Sequence, residues 1–300
     1  MDGSTGIGII GIGNMGLAMA LRLRDLGRVV HVRDIDSARE AMAVAAGAVV
    51  EASTAALARR CALLIVAVVD AAQCEAVLFG AGGASVSLPR GGCVMLCPTI
   101  APASTVSIAA RLEALGIDCI DAPMSGGPAR ARAGSMSLMV ACADAIFERH
   151  RDVIGQLSSR VFRVGTRIGD GARNKLVNNL LAAVNLAGAA EALALAERVG
   201  LDIGRTLDVI EQSSGQSWIG SDRMRRAIAG DLAPLAHTAL LAKDTQLALE
   251  MAQATRLDLA LGSAAAALFA RACASGYGGL DDASLLELLR REPGDDPEPR

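Results

Sequence analysis

The sequence predicts an α/β fold in which a doubly wound sheet is followed by an all-helical domain. From Gly6 to about Gly165, short apolar runs alternate with amphipathic stretches, a pattern typical of a parallel sheet covered by helices. After Gly169 the chain becomes rich in Ala and Leu and shows no convincing strand. We therefore expect one domain at 1–165, an all-α domain at 166–290, and a charged, proline-rich, disordered tail at 291–300.

The same patterns predict the individual elements. Strands are expected at Gly6–Ile10, Val29–Arg33, Ala62–Val69, Cys93–Cys97, Asp118–Ile120, Ser135–Ala141 and Arg160–Val164. Helices are expected between them, at Met15–Leu26, Ser37–Ala45, Ala71–Leu78, Pro102–Leu115 and Ala143–Leu157. The second domain should begin with one long helix and continue with shorter ones, at Gly171–Val199, Ile203–Ser213, Asp222–Ala229, Ala239–Ala254, Leu261–Ala274 and Asp281–Leu289.

Composition argues against nucleic acid, membranes and metals as partners. The net charge is -3 without a basic stripe, and aromatic residues make up 2% of the chain, so stacking platforms for bases are missing. Asp2 stands where a signal peptide would carry basic residues, and apolar runs such as Ala62–Val69 are too short to cross a bilayer. The seven cysteines form no CxxC pair or zinc set. We expect a soluble, cytoplasmic protein whose cysteines are small buried residues.

Lysine is rare in this chain. Of 29 basic residues only Lys175 and Lys243 are lysines, and the rest are arginines. A guanidinium effectively keeps its proton, whereas an ammonium can exchange one, so a retained lysine marks a candidate for amine chemistry. Codon bias with chance predicts the same count, and the places where the two lysines fall decide between these interpretations.

A glycine-rich turn follows the first predicted strand. Gly11, Gly13 and Gly16 form a GxGxxG motif between an apolar strand and an amphipathic helix. Gly11 should permit the tight turn, Gly13 should let the backbone approach a pyrophosphate, and Gly16 should allow close packing of helix on strand. This context predicts a Rossmann dinucleotide-binding domain. The alternatives are a turn that binds FAD or another nucleotide, and a simple glycine-rich bend.

The end of the second predicted strand favours NAD. Asp34 lies eighteen residues beyond Gly16, where a carboxylate accepts hydrogen bonds from the adenosine ribose and repels the additional phosphate of NADP. Arg33 and Arg39 lie nearby and would soften that repulsion, so NADP stays open as an alternative.

Four segments, in this order, resemble the β-hydroxyacid dehydrogenase family, which includes 3-hydroxyisobutyrate dehydrogenase and tartronate semialdehyde reductase. They are GIIGIGNMGLAMA from Gly8, DAPMSGGP from Asp121, GARNKLVNN from Gly171, and the pair Lys243 and Asp244. In the family these correspond to the cofactor fingerprint, the substrate segment, the catalytic helix and a late Lys-Asp pair beside the cofactor. The C-terminal half, including SSGQSW, is most similar to the L-threonate dehydrogenase branch.

The resemblance implies that Lys175 takes the hydroxyl proton during oxidation, or returns it during reduction. Asn179, four residues later on the same helix face, would hold the geometry through a hydrogen bond. Lysine suits this role because burial or nearby charge can lower its pKa, which arginine does not allow. The alternative for Lys175 is an exposed lysine paired with some acid.

Ser125, Gly126 and Gly127 are the predicted site of the substrate carboxylate. They follow the strand Asp118–Ile120, near the carboxyl end of the sheet, where open α/β folds bind ligands. The glycines expose backbone N–H groups to an anion and the serine adds a donor. A plain turn is the alternative. The resemblance adds Asn178 to the substrate side.

Further candidate contacts stand at other strand ends and in the second domain. Asn14 and Met15 lie inside the glycine-rich turn, while Val68 and Val69, which core burial would explain equally, would pack against the cofactor. Thr99 stands where the family has an STI-like run, although Pro98 replaces the serine and puts its hydrogen bond in doubt.

Three more side chains complete the set from the second domain. Lys243 is expected beside the nicotinamide or the substrate, while Asp244 would cap or orient its helix. Trp218, in the SSGQSW loop, would line the substrate pocket, and the alternative is a core residue. No histidine falls in a motif, so His31, His150 and His237 are expected at the surface or at helix caps.

The sequence therefore predicts NAD-dependent hydride transfer to or from a small β-hydroxy acid, of the 3-hydroxyisobutyrate, L-threonate or tartronate semialdehyde/glycerate type. We expect the substrate in a cleft between the domains of a homodimer or homotetramer. The alternatives are an NADP-linked reductase of short aldehydes or imines, and a non-catalytic NAD-binding module. Lys175 argues against imine reductases, which usually replace that lysine, and against the non-catalytic module, while Asp34 argues against the aldehyde branch, which tends to prefer NADP.

Overall fold

The computed structural model describes residues 6–291, so the predicted tail lies outside the described residues except for Arg291. The chain divides into two compact units, Met1–Lys175 and Leu176–Arg300, and the division falls inside a long helix. The domain boundary predicted at residue 165 remains a prediction.

The first unit is built on one mixed sheet. Its strands are β1 Gly6–Ile10, β2 Val30–Arg33, β3 Val49–Val50, β4 Cys61–Val66, β5 Cys93–Leu96, β6 Asp118–Asp121, β7 Met124–Ser125, β8 Ser137–Ala141 and β9 Arg160–Gly165. They are ordered β3-β2-β1-β4-β5-β6-β8-β7, and β9 pairs with β8. The order reverses between β1 and β4, which is the switch point where doubly wound sheets bind dinucleotides.

Helices cover both faces of this sheet. They are α1 Asn14–Asp25, α2 Ser37–Ala45, α3 Thr54–Ala58, α4 Ala71–Phe79, α5 Pro102–Ala114, α6 Gly127–Ala133 and α7 Asp144–Leu157. Side chains alternate along the strands, so Ile9 packs with Met19 of α1 in one buried cluster, while Leu64 packs with Leu78 of α4 in another. The predicted doubly wound α/β fold is confirmed.

One part of the sheet is antiparallel, which the sequence did not predict. After β6 the chain continues into β7 and returns as β8, which runs antiparallel to both. Only eleven residues separate β7 from β8, and a parallel crossover needs about a dozen or more. β9 then runs parallel to β8.

The second unit is helical. It contains most of α8 Asp170–Arg198, followed by α9 Ile203–Glu211, α10 Trp218–Ile228, α11 Thr238–Ala254, α12 Ala260–Ala272 and α13 Leu285–Arg290. Its core surrounds the fully buried Phe269. Within the described part of this unit, β structure is limited to one bridge between His237 and Asp281.

Helix α8 is long and apolar enough to cross a membrane by length and composition, a property that the prediction from shorter runs overlooked. A core helix of a soluble protein meets the same criterion, and 44% of its most apolar window is buried inside the protein.

Candidate active site

The glycine-rich turn joins β1 to α1 at the carboxyl edge of the sheet. Gly11 has φ +85°, and a Cβ there would lie 2.8 Å from the carbonyl oxygen of Ala67, so glycine is required on both counts. A Cβ on Gly16 would lie 1.9 Å from the carbonyl oxygen of Gly11, because α1 passes directly against the turn. A Cβ on Gly13 would meet nothing within 4 Å.

These residues fit a dinucleotide. Gly13 is exposed, caps α1, and provides no side-chain hydrogen bond to the first turn of the helix. An N-terminus of this kind, with open space above it, presents backbone N–H groups to a pyrophosphate. The same turn lies against the end of β4 at the switch point, where Val68 Cγ1 would be 3.0 Å from a Cβ on Gly11.

Asp34 is held against the glycine-rich turn. The backbone N–H of Ile12 donates to Asp34 Oδ2 at 2.6 Å, and the N–H of Asp36 donates to Oδ1 at 2.9 Å. A carboxylate oxygen has two lone pairs, so each oxygen keeps the capacity to accept a further hydrogen bond. The carboxylate is therefore fixed in place beside the turn and still able to bind hydroxyl groups.

Both arginines near Asp34 are engaged within the protein. Arg33 Nη1 lies 2.8 Å from Glu40 Oε1, and the same oxygen accepts the backbone N–H of Asp34 at 3.0 Å. Arg39 Nη2 donates to Asn14 Oδ1 at 3.0 Å. Glu40 thus competes with any ligand phosphate for Arg33, a contact that the sequence did not predict.

Three predicted contacts follow strands at the carboxyl edge of the sheet. The predicted strand Ala62–Val69 was too long, because β4 ends at Val66 and the next helix begins at Ala71 after its cap, Asp70. Val68 and Val69 therefore lie in the loop, and the core-burial alternative is wrong for Val69, which is 47% exposed. Thr99 follows β5 and is half-buried.

The segment from Ser125 to Gly127 joins the short strand β7 to helix α6. Ser125 ends the short strand β7 and pairs with Ser137, and Gly127 begins α6. Gly126 has φ +119° and Gly127 has φ +75°, so both positions favour glycine. A Cβ on Gly127 would meet nothing within 4 Å. Successive amides of this kind, beside open space, suit an anion.

Lys175 lies on α8 near its beginning and is 7% exposed. The alternative of an exposed lysine is therefore wrong. Since α8 is continuous from Asp170 to Arg198, Asn179 follows Lys175 by one helical turn and is 8% exposed.

The first turn of α8 is capped by Asp121, the last residue of β6. Its Oδ2 accepts the backbone N–H of Gly169 at 2.8 Å and that of Ala172 at 3.1 Å. The carboxyl group is 1% exposed. Burial raises the pKa of Asp121 to about 6, although hydrogen bonds from these backbone amides act in the opposite direction.

In the second unit Asn179 belongs to a small polar cluster with its neighbour and with α11. Its Nδ2 donates to Asp244 Oδ2 at 2.6 Å, and its Oδ1 accepts from Asn178 Nδ2 at 3.1 Å. Lys243 Nζ lies 2.8 Å from Asp244 Oδ1. The expectation that Asp244 caps its own helix is wrong, because Asp244 lies inside α11, whose N-cap residue is His237, and its carboxylate binds the amide of Asn179.

Trp218 is the first residue of α10 rather than part of a loop. Ser217 caps this helix by accepting the N–H of Gly220, which is why the helix begins earlier than the predicted Asp222. Trp218 is 46% exposed, so the core alternative is wrong.

The remaining titratable candidates lie outside these clusters. His31 pairs with Glu51, His237 bonds the carbonyl of Gly279, and His150 is buried, contrary to the surface position expected for it. Six of the seven cysteines are buried and Cys273 is partly exposed, and none of the seven is in a disulfide. Among residues 6–291 no group of three or more His, Cys, Asp or Glu is arranged to hold a metal.

Comparison with known proteins identifies the family. Residues 6–165 match the model of the NAD binding domain of 6-phosphogluconate dehydrogenase, and residues 169–289 match that of the NAD-binding region of NADP-dependent 3-hydroxyisobutyrate dehydrogenase. The chain is 37% identical to an L-threonate dehydrogenase of Cupriavidus necator, over 95% of this chain and 96% of that protein. The chain belongs to the β-hydroxyacid dehydrogenase family. Mitochondrial 3-hydroxyisobutyrate dehydrogenase of Bos taurus is 32% identical over 97% of this chain and 89% of its own length.

Several solved structures have the same fold. A 3-hydroxyisobutyrate dehydrogenase from Salmonella typhimurium superposes with a TM-score of 0.89 at 35% identity, covering 94% of this chain and 99% of that one. Psf3 in complex with NADP+ and 2-OPP gives a TM-score of 0.88 at 26% identity, with the same coverage. An imine reductase from Myxococcus stipitatus, at 21% identity and a TM-score of 0.67, covers 95% of this chain and 99% of that one and shares the fold alone.

Membership of the family establishes the class of reaction. The chain is an NAD(P)-dependent oxidoreductase that acts on CH–OH groups, as its relatives are. The predicted fold, family and cofactor class are confirmed by these comparisons. The roles of individual site residues, the choice between NAD and NADP, and the substrate remain predictions.

Proposed function

We propose that this β-hydroxyacid dehydrogenase oxidises L-threonate, or a closely similar small hydroxy acid, with NAD and with Lys175 as the proton-transfer group. The observation that carries the proposal is the burial of Lys175 on a helix whose first turn is fixed by a buried carboxylate. The substrate class is supported by the resemblance to the L-threonate dehydrogenase of Cupriavidus necator along almost the whole chain.

The substrate carboxylate binds at Ser125, Gly126 and Gly127. The open space beside Gly127 and the positive φ of both glycines support this assignment, because they leave backbone N–H groups accessible. The serine hydroxyl adds a donor. A carboxylate held here orients the rest of a short hydroxy acid and limits the length of the substrates that the site accepts.

Lys175 moves the proton of the substrate hydroxyl. During oxidation the neutral amine accepts this proton, and during reduction the ammonium returns it. Asn179 donates a hydrogen bond that holds the substrate oxygen, and Asp244 keeps the Asn179 amide in one orientation. When bound, the nicotinamide supplies the hydride acceptor or donor.

The cofactor contacts proposed in the first unit are those of the glycine-rich turn and its neighbours. Gly11, Gly13, Asn14, Met15 and Gly16 surround the pyrophosphate. Val68, Val69 and Thr99 lie at the strand ends towards the nicotinamide side, and Lys243 in the second unit completes the set. Asp34 binds the adenosine ribose, and the engagement of Arg33 by Glu40 supports a preference for NAD over NADP.

On the substrate side, Asn178 and Trp218 are proposed as further contacts. Asn178 is exposed next to Asn179, and Trp218 is half-exposed at the start of α10, so both side chains are accessible to a ligand.

We propose that the protein forms a homodimer or homotetramer and that it is located in the cytoplasm. Val177, Leu181 and Leu195 of helix α8 are each more than half exposed. Their spacing places them on one side of the helix. Large apolar side chains in a row on one helix are typical of an interface between subunits.

A substrate screen tests the proposed function. NADH formation is followed at 340 nm with L-threonate, D-glycerate, 3-hydroxyisobutyrate and L-serine, each with NAD and with NADP. We expect the highest kcat/KM for L-threonate with NAD. Activity confined to 3-hydroxyisobutyrate or D-glycerate would show that the enzyme acts on another hydroxy acid of the family and not on L-threonate. No activity with any hydroxy acid would overturn the proposal.

A further inference from the structure

Asp121 caps a helix that cannot cap itself. The residue preceding α8 is Gly169, which has no side chain, and its backbone has φ +96°. The carbonyl of Gly169 accepts the first helical hydrogen bond, from Arg173 N, so Gly169 is the N-cap. The hydrogen bond that an N-cap side chain normally accepts from the first turn is accepted instead by Asp121, which lies 48 residues earlier in the chain and binds the N–H of Ala172 as well as that of Gly169 itself.

Gly171 is shaped to receive this carboxylate. A Cβ on Gly171 would lie 2.8 Å from Asp121 Oδ1 and 2.7 Å from the carbonyl oxygen of Met139. Any side chain there would push the first turn of α8 away from the sheet. The glycine that opens the GARNKLVNN segment is therefore explained by the approach of Asp121 to the helix backbone.

The other acid at this helix end has different partners. Asp170, the first residue of α8, accepts hydrogen bonds from Arg167 and Arg173 at the surface, and these lower its pKa. Its charge is favourable near a helix N-terminus, but its side chain does not bond the first-turn amides. Asp121 is thus the group that fixes the backbone of the first turn.

Asp121 is itself rigidly held and joins two parts of the proposed site. It pairs with Leu96 on one side of β6 and with Ala141 on the other. Only three residues separate it from Ser125, at the proposed carboxylate site, and its hydrogen bond to Ala172 lies one helical turn before Lys175. One side chain therefore links the strand that leads to the proposed carboxylate site to the helix that carries the amine.

We propose that Asp121 is a positioning residue for Lys175: by capping the first turn of α8, it sets the distance between the amine and the proposed carboxylate site at Ser125, Gly126 and Gly127. This inference rests on the proposed function of Lys175. Asp121 touches neither substrate nor cofactor in this account, and it acts through the helix backbone.

The test uses Asp121→Asn in the full-length enzyme. Asparagine keeps the shape of the side chain and one oxygen acceptor, but it removes the charge and turns an NH2 group towards Gly171. We expect kcat to fall by roughly 10- to 100-fold, the loss that follows from an error of about 1 Å in placing a catalytic group. The KM for NAD and the affinity for NADH should stay within about twofold of the wild type, because the nucleotide contacts are made elsewhere.

A matched control removes a carboxylate from the other end of the same strand. Asp118 forms an ion pair with Arg149 and is partly exposed, and it makes no contact with α8 among the described hydrogen bonds. Asp118→Asn should leave kcat unchanged. Hydrogen exchange of a peptide covering residues 168–176 provides a second measurement, and these amides should exchange faster in Asp121→Asn than in Asp118→Asn.

A third measurement does not depend on turnover. Reductive methylation with 13C-formaldehyde labels Lys175 and Lys243, the two lysines of the chain, together with the α-amine, and Lys175→Arg and Lys243→Arg assign their NMR signals. Asp121→Asn should shift the Lys175 signal and leave the Lys243 signal in place.

The outcomes separate this inference from the proposed function. If the wild type oxidises no hydroxy acid, the proposed function fails, and the NMR shift then decides alone whether Asp121 positions Lys175. If Asp121→Asn keeps wild-type kcat, or leaves both the hydrogen exchange of 168–176 and the Lys175 signal unchanged, the inference is overturned. If kcat, the affinity for NADH and the melting temperature all fall together in Asp121→Asn, the inference is also overturned, because this result indicates a general loss of structure.

Discussion

The side-chain amide of Asn179 donates a hydrogen bond to Asp244 Oδ2 at 2.6 Å, and both side chains are buried. This contact joins residues 65 positions apart and ties the helix that carries the proposed catalytic residues to α11. An amide held by a buried carboxylate has one orientation, since only its NH2 group can donate to the carboxylate.

Asp244→Ala should destabilise the second unit and reduce activity. Removing the carboxylate leaves the buried NH2 group of Asn179 unsatisfied, at a cost of about 1–3 kcal/mol. Urea unfolding measures this loss. Gln246→Ala, on an exposed position of the same helix, is the control and should change the free energy of unfolding by about 0.5 kcal/mol or less. Equal stability of the two variants would show that the contact contributes nothing.

Asp34→Ala should relax the discrimination against NADP. The variant removes the charge that faces the additional phosphate, and we expect the ratio of kcat/KM values for NADP and NAD to rise about tenfold or more, roughly 1.4 kcal/mol. Asp36→Asn, an exposed acid two residues away, is the control. An unchanged ratio in Asp34→Ala would remove Asp34 from the account of specificity.

Glu40→Gln should change the same ratio by a different route. The variant weakens the hold on Arg33 and leaves its guanidinium free to approach a phosphate, while Asp34 stays in place. We expect a rise in kcat/KM for NADP with little change for NAD. A loss of activity with both cofactors would instead indicate that Glu40 serves only to hold the loop.

Asp121 predicts a specific dependence of stability on pH. Its pKa is about 6 in the folded chain against an ordinary value of 3.8, so the folded state binds this proton more tightly than the unfolded state. Ionisation therefore costs stability, and the contribution falls as pH rises from about 4 to about 6, by about 3 kcal/mol in total at about 1.4 kcal/mol per pKa unit. The other titratable groups nearby are Asp170 and the buried thiols Cys97, Cys119 and Cys142.

Urea unfolding of the wild type and of Asp121→Asn between pH 4.5 and 7.5 measures this dependence. Asparagine does not titrate, so the variant should gain stability relative to the wild type as pH rises through the window. A difference that stays constant with pH would show that the carboxyl group titrates normally.

The long elements of this fold were predictable because a helix or strand of many residues repeats its pattern often enough to be recognised. Helix α8 and strand β1 are examples. The two-residue strands β3 and β7 and the short helices α3 and α6 were missed, because so few residues show no period. The direction of β8 was missed because strand composition does not report direction.

The parts of the candidate site that lie in short contiguous segments could be predicted from the sequence. The GxGxxG turn, the DAPMSGG segment and Lys175 were all found in this way. Asp121, Glu40 and the partnership of Asn179 with Asp244 were missed as structural contacts because each depends on residues brought together by folding. Asp121 left no usable signal, because Asp170 stands directly before the predicted helix Gly171–Val199 and is itself a typical N-cap residue.

The most direct test of the account is Lys175→Arg, compared with the wild type in NADH binding and in turnover of the preferred hydroxy acid. Arginine keeps the positive charge but effectively never gives up its proton. We expect NADH affinity within about twofold of the wild type and a fall in kcat of roughly 100-fold or more. Near-normal turnover in this variant would contradict this expectation.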